Sequence, residues 1–186
     1  MAQGKYKVVQ GPEAYFPPAA AIMGVTLPDA GDAIAEGEIV PESSAVELIA
    51  RKLKEAKNPV ICPGPLIVWQ WSDDASPKAA AVKELAEACK AKILPMQDYR
   101  AKRINPAAEI SPNHPNVTIL HNEIDVCVFV GVHSHFENVA LRLIRGGTNC
   151  YTIALSEYAA SDEAMISLRD AGVEKIKEII KILKET

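Results

Sequence analysis

Two histidines, His133 and His135, flank Ser134 in the turn Gly131-Val132-His133-Ser134-His135. An imidazole pair two residues apart can share a metal ion when a third and usually a fourth ligand arrive from elsewhere. His114 and His121 are the only other histidines, and the four cysteines (Cys62, Cys89, Cys127, Cys150) occur singly with no Cys-x-x-Cys. The spacing favours a turn that faces a ligand or a partner, and no metal site is assigned. A glycine turn at this place can also cradle a phosphate, but dinucleotide binding needs G-x-G-x-x-G after the first strand. Here Gly131 stands alone, and so does Gly64 in Pro63-Gly64-Pro65-Leu66-Ile67, where Pro65 also removes a backbone N–H. A flavin or nucleotide crevice without that fingerprint stays open, with Gly64, Gly131, His133 and Ser134 as its candidate lining.

No nucleophile is in a position to act. There is no G-x-S-x-G elbow, and Cys127 falls inside an apolar strand where a thiol is inert. Glu123 with Asp125, and Asp73 with Asp74, are near neighbours in sequence, which does not supply general-acid geometry. No catalytic residue is assigned. Contact with another protein has better support. Leu66-Ile67-Val68-Trp69-Gln70-Trp71 follows a strand-ending turn, and two tryptophans in one loop are unfavourable to leave wet. Trp69 and Trp71 are the first candidates for a partner interface, joined by Tyr15 and Phe16 from the N-terminal region.

These residues must be held by regular elements. Ile124 to Val130 is a nearly continuous apolar run, the pattern of a strand covered on both faces. After Gly131, Ser134 and Glu137 have the spacing of a capping box, and Phe136, Val139, Ala140 and Leu143 predict the inward face of the helix it opens. Gly146-Gly147 should end that helix. An earlier capping box, Ser44 to Glu47, predicts a helix that buries Val46, Ile49, Ala50, Leu53 and Ala56 and stops at Asn58-Pro59. Val60 to Cys62 reads as a short buried strand. Ser76 and Pro77 suit the start of a helix carrying Val82, Leu85, Ala86 and Cys89 on one side. Ile93 to Met96 is a strand shortened, or pushed to an edge, by Pro95. Residues 97–123 lose periodicity. Tyr151 to Leu155 is a strand, Ala164 to Leu168 a shorter one, and Val173, Ile176, Ile179, Ile180 and Leu183 define a closing helix.

Alternation of this kind requires a doubly wound α/β domain, with a parallel sheet of five to six strands and Rossmann-like character. It spans residues 44–186. Residues 1–43 contain five of the thirteen prolines and show no sustained period, yet hold Tyr15, Phe16, Ile22, Met23, Val25 and Leu27. They are expected to form an extended arm lying on the domain or on a partner. The 186 residues are 48% hydrophobic and 24% charged, with a net charge of −4 and a pI near 5.6. That balance speaks against nucleic acid or an anionic membrane as partner. No apolar run reaches membrane-spanning length and no signal-peptide core opens the chain, so a cytoplasmic protein is expected.

From Ser44 to Leu183 the chain resembles the epsilon subunit of the carbon monoxide dehydrogenase/acetyl-CoA synthase complex. The resemblance rests on Lys57-Asn58-Pro59 leading into a strand and Gly64, and on the long helix ending near Lys90. It rests also on Asp125-Val126-Cys127-Val128-Phe129-Val130-Gly131-Val132-His133, followed by a helix with Asn138. It implies a fold like the central domain of thiamine-diphosphate enzymes and an accessory, non-catalytic role. The implied partner is the nickel–iron–sulfur catalytic (alpha) subunit, in an α2ε2-like component of the complex. The nickel–iron–sulfur and iron–sulfur clusters would belong to that partner, with assistance to electron transfer toward FAD as a further role. Two other classes stay in view: a flavin- or nucleotide-binding electron-transfer module, and a small enzyme with its site at the strand carboxyl ends.

Overall fold

The structure is a computed structural model that describes residues 28–68, 75–96, 115–158 and 160–185. It begins with a hairpin, β1 (Asp32–Ala35) and β2 (Glu38–Pro41), where an irregular arm is expected. Ala35 pairs with Glu38, so Glu36 and Gly37 alone make the turn, both at positive φ (53° and 88°). That is the twist a two-residue hairpin requires. The turn is pinned from outside, because the Tyr151 hydroxyl donates to Glu36 Oε1 at 2.8 Å.

Helix α1 (Glu42–Glu55) follows directly, three residues earlier than a cap at Ser44 would place it. Its N-cap is Pro41, without a side-chain capping bond, and the Glu42 N–H is satisfied by the Gly31 carbonyl at 2.9 Å. The hairpin thus does the work expected of the serine. Strand β3 (Pro59–Pro63), the short helix α2 (Pro65–Val68), helix α3 (Ala75–Ala88) and the two-residue strand β4 (Lys92–Ile93) come next. They are followed by α4 (Pro115–His121), β5 (Val126–Val130), α5 (Ser134–Gly147), β6 (Tyr151–Leu155), β7 (Ile166–Leu168) and α6 (Val173–Glu185).

Among the described residues the sheet has seven strands in the order β2-β1-β7-β6-β5-β3-β4. It is mixed, and larger than a five- or six-stranded parallel sheet. From β4 to β7 every neighbour is parallel, whereas β1 runs antiparallel to both β2 and β7. The strand order reverses between β3 and β5, whose neighbours in sequence lie on opposite sides. Loops leaving the carboxyl ends of these two strands therefore diverge, and the crevice between them is the topological switch point.

Alternation along the strands sorts side chains to two faces. Ile61, Val128, Ile153 and Leu168 meet α1, α3 and α6 in the larger apolar cluster. Cys62, Cys127, Phe129 and Ala154 meet α4 and α5 in a smaller one. Phe129 is fully buried, which on its own contributes about 2–3 kcal/mol of apolar transfer energy.

Candidate functional site

The carboxyl ends of β3 and β5 are held together by their glycines. The Gly64 N–H donates to the Val130 carbonyl at 2.8 Å and the Leu66 N–H to the Gly131 carbonyl at 3.1 Å. A Cβ on Gly64 would sit 2.3 Å from the Gly131 oxygen and 2.5 Å from Val132 Cα. One on Gly131, whose φ is +64°, would sit 2.5 Å from Ile67 Cγ1. Each glycine is thus required by the other loop's backbone or by a buried isoleucine. The two do come together at the switch point, as a ligand crevice needs, but their missing side chains are filled by protein.

His133 and His135, which follow this junction in the chain, are both exposed. His133, not Ser134, occupies the N-cap of α5, with no side-chain capping bond, and Ser134 is the first helical residue. Expecting a Ser134–Glu137 capping box places the helix start one residue late. The helix runs through both Gly146 and Gly147 and closes at Thr148, whose N–H and hydroxyl reach the Ile144 carbonyl at 2.9 and 2.8 Å. Among the described residues no group of three or more His, Cys, Asp or Glu is arranged to hold a metal ion. Trp69, Trp71, Tyr15 and Phe16, the expected interface residues, lie outside the described residues.

Glu137, freed from capping, turns inward. The buried face of α5 is Glu137, Ala140, Leu141 and Ile144, a perfect i, i+3, i+4, i+7 series. It lies one residue, about 100° of helix rotation, from the expected face. Glu137 is 1% exposed; its Oε2 accepts from the Ser156 hydroxyl at 2.9 Å, while Oε1 is buried with no partner among the described residues. Burial pushes its carboxyl up to about 8; the nearby Glu157 adds to this, and the Ser156 bond opposes it. Glu137 is therefore a neutral acid at pH 7. Ser156 lies 3.5 Å from the Ser167 hydroxyl, which accepts from the Ser161 N–H at 2.7 Å. Ser161 donates in turn to Asn138 Oδ1 at 2.5 Å. The chain of hydroxyls ties the loop after β6 back onto α5.

Beside this network, and reached from the opposite face of the sheet, Lys78 of α3 donates to Glu157 at 2.5 Å; their side chains are 3% and 15% exposed. A proton-bearing carboxyl, a hydroxyl relay and a near-buried ion pair thus converge at the carboxyl end of β6. This constellation was not legible in the sequence, where Glu137 reads as a cap and nothing singles out Lys78. Its one sequence signal is that Glu137 falls in register with Ala140, Leu141 and Ile144. Chemically it can hold a proton and fix a loop. Ser156 is also 1% exposed, so the pair offers no atom to a solvent-borne substrate.

The cysteines are structural thiols. Cys62, Cys127 and Cys150 share the smaller cluster and are free. Burial raises the Cys62 thiol well above its ordinary range, and contact with Cys150, followed by burial, does the same to Cys127. Cys89 is pushed up to about 11 by burial. At the opposite, amino edge of the sheet, Leu53, Lys54, Lys57, Cys89, Lys90 and Leu183 line a cavity of about 360 Å³. Its lysines stand where α1 and α3 end, which is where cations offset the helix dipole.

Fold and site together define an α/β domain with a mostly parallel sheet, whose β3 and β5 ends are tied together through Gly64 and Gly131 and which is stiffened by buried polar links. Residues 24–186 match the family described as CO dehydrogenase beta subunit/acetyl-CoA synthase epsilon subunit, and the chain belongs to that family. A comparison with individual curated proteins found no significant match. The motif residues that carried the resemblance have a structural purpose. Asp125 accepts from the N–H groups of Lys57 (2.7 Å) and Asn58 (3.0 Å), and the Asn58 amide donates to the carbonyls of Asn122 (2.6 Å) and Glu123 (3.3 Å).

Proposed function

We propose that this chain is an accessory, non-catalytic subunit of a carbon monoxide dehydrogenase/acetyl-CoA synthase complex, binding and stabilising the nickel–iron–sulfur catalytic subunit. The observation that carries this reading is the family match over 24–186. The geometry supports it: Ser156, Lys78 and Glu157 at the carboxyl end of β6 are engaged in internal bonds, and the switch-point glycines pack on protein. In this reading the metal clusters reside in the partner, two copies of each subunit assemble as α2ε2, and the complex works in the cytoplasm. The chain's part in electron transfer is to support a path to a flavin held elsewhere, with His133 and Ser134 at the edge such a flavin would approach. No helix among the described residues is long and apolar enough to cross a membrane.

Co-purification tests the proposal. The full chain, mixed with the catalytic subunit at micromolar concentration, should elute with it and slow its thermal inactivation. A chain that stays apart, and leaves that inactivation rate unchanged, would refute it. The isolated chain should show no thermal shift at saturating FAD, since a ligand that binds the native state raises its melting temperature by mass action. A clear shift would move the flavin onto this chain.

A further inference from the structure

Among the described residues four large apolar side chains are exposed, and three of them lie on two neighbouring helices: Leu120 (58%) on α4, with Val139 (48%) and Leu143 (53%) on α5. The two helices pack side by side. Val139 and Leu143 are i, i+4 neighbours on α5, with half-buried Phe136 one turn before them. This is the stripe that the sequence assigns to the core; the helix buries Leu141 and Ile144 instead and leaves the stripe on the outside.

From this we infer that the outer face of α5, with Leu120 of α4, is the surface that docks on the partner subunit, through an apolar centre and a carboxylate facing Arg142. The inference rests on the accessory-subunit reading above and adds a location to it. Charge selects the occupant. The exposed α5 residues of the stripe are His135, Val139, Arg142 and Leu143, with no carboxylate among them. The Arg142 side chain is 66% exposed, and its partner Glu163, only 16% exposed, is shared with Arg145 at 3.4 Å. Arg142 pairs with Glu163 at 2.7 Å and Asp162 also lies near both arginines, but both carboxylates are partly buried while Arg142 is exposed, so the cationic group is what the face presents. A second copy of this chain fits poorly. A two-fold pairing of α5 places the same patch on itself and brings one Arg142 toward the other. The chain's own residues 1–27 fit no better, since Lys5 and Lys7 against Glu13 make them cationic. A separate subunit with an apolar knob and an acidic rim is complementary to both features.

The test uses the full chain and the catalytic subunit. Val139→Gln with Leu143→Gln, and separately Arg142→Glu, are measured for binding by titration. Lys181→Gln on the exposed face of α6 is the control. Each stripe variant should weaken binding by at least about 10-fold, with the control unchanged and all far-UV spectra alike. Should the double variant lose its fold, Arg142→Glu alone decides. If wild type binds and the stripe variants bind equally well, this surface is wrong and the accessory role stands; if wild type itself does not bind, the accessory role is what fails. Two results would assign the face to another occupant and overturn the inference: a wild-type dimer dissolved by the double variant, or a patch uncovered by deleting residues 2–27, seen as new binding of an apolar dye.

Discussion

The most telling single residue is Glu137. Its folded-state pKa, about 8, lies far above the ordinary carboxylic acid value of 4.5. Between these limits the folded chain holds a proton that the unfolded chain has released, so stability falls as pH rises, at up to about 1.4 kcal/mol per unit. Below pH 4 the effect vanishes, and above pH 8 the loss is complete. Glu137→Gln cannot titrate. Relative to it, wild type should lose stability between pH 5 and pH 8, read as the difference in urea midpoints, and parallel pH profiles would refute the assignment. The glycines give a second prediction. Gly64→Ala drives a methyl into backbone and should cost about 3 kcal/mol or more, whereas the Gly131→Ala methyl meets chiefly the Ile67 side chain. Adding Ile67→Ala should therefore recover part of the loss for Gly131→Ala and none for Gly64→Ala, in a double-mutant cycle. Both glycines were visible in the sequence as turn residues. That each is needed by the other was not, because 66 residues separate them and only the parallel pairing of β3 with β5 brings them together.

At the scale of elements, legibility followed the strength of the period. Strands β3, β5 and β6 are apolar runs with no competing pattern, and helix α1 has one clear face; all four were readable. The hairpin was not, because Ala33-Ile34-Ala35 and Ile39-Val40 are too short to show alternation, and Glu36-Gly37 lacks the asparagine or aspartate that usually flags such a turn. Helix α5 was readable as a helix but not in its orientation. Phe136, Val139, Ala140, Leu141, Leu143 and Ile144 supply two overlapping stripes, and only the sheet decides between them. The junction of Asp125 with Lys57 and Asn58 is also an element-scale device, fixing where β3 and β5 begin relative to one another. Asp125→Ala removes two charge-assisted bonds to backbone N–H groups and should destabilise by about 1–3 kcal/mol. Asp125→Asn keeps one good acceptor and should cost less; equal losses in denaturant titrations would show that a neutral acceptor recovers nothing and that both carboxylate oxygens or their charge are required.

Across the whole molecule the two faces of the sheet are unequally finished. The face covered by α1, α3 and α6 carries the larger apolar cluster, and α6 packs against both other helices. The face covered by α4 and α5 carries the smaller one. It also contains both buried side-chain oxygens that have no partner among the described residues, Thr118 Oγ1 on α4 and Glu137 Oε1 on α5. Each such group costs about 1–3 kcal/mol. The outer surface of the same two helices is where apolar side chains remain exposed. Local opening should therefore begin on this face, because opening there forfeits the least apolar burial and rehydrates the two orphaned oxygens. In native-state hydrogen exchange, amides in the middle of α5 should exchange faster than those in the middle of α1 and α3. Adding the catalytic subunit should slow α4 and α5 selectively, since a partner seated on their outer stripe must be released before they can open. If all helices exchange at one rate, the faces are equally stable; if protection falls on α1 and α6 instead, the partner is gripping the other side.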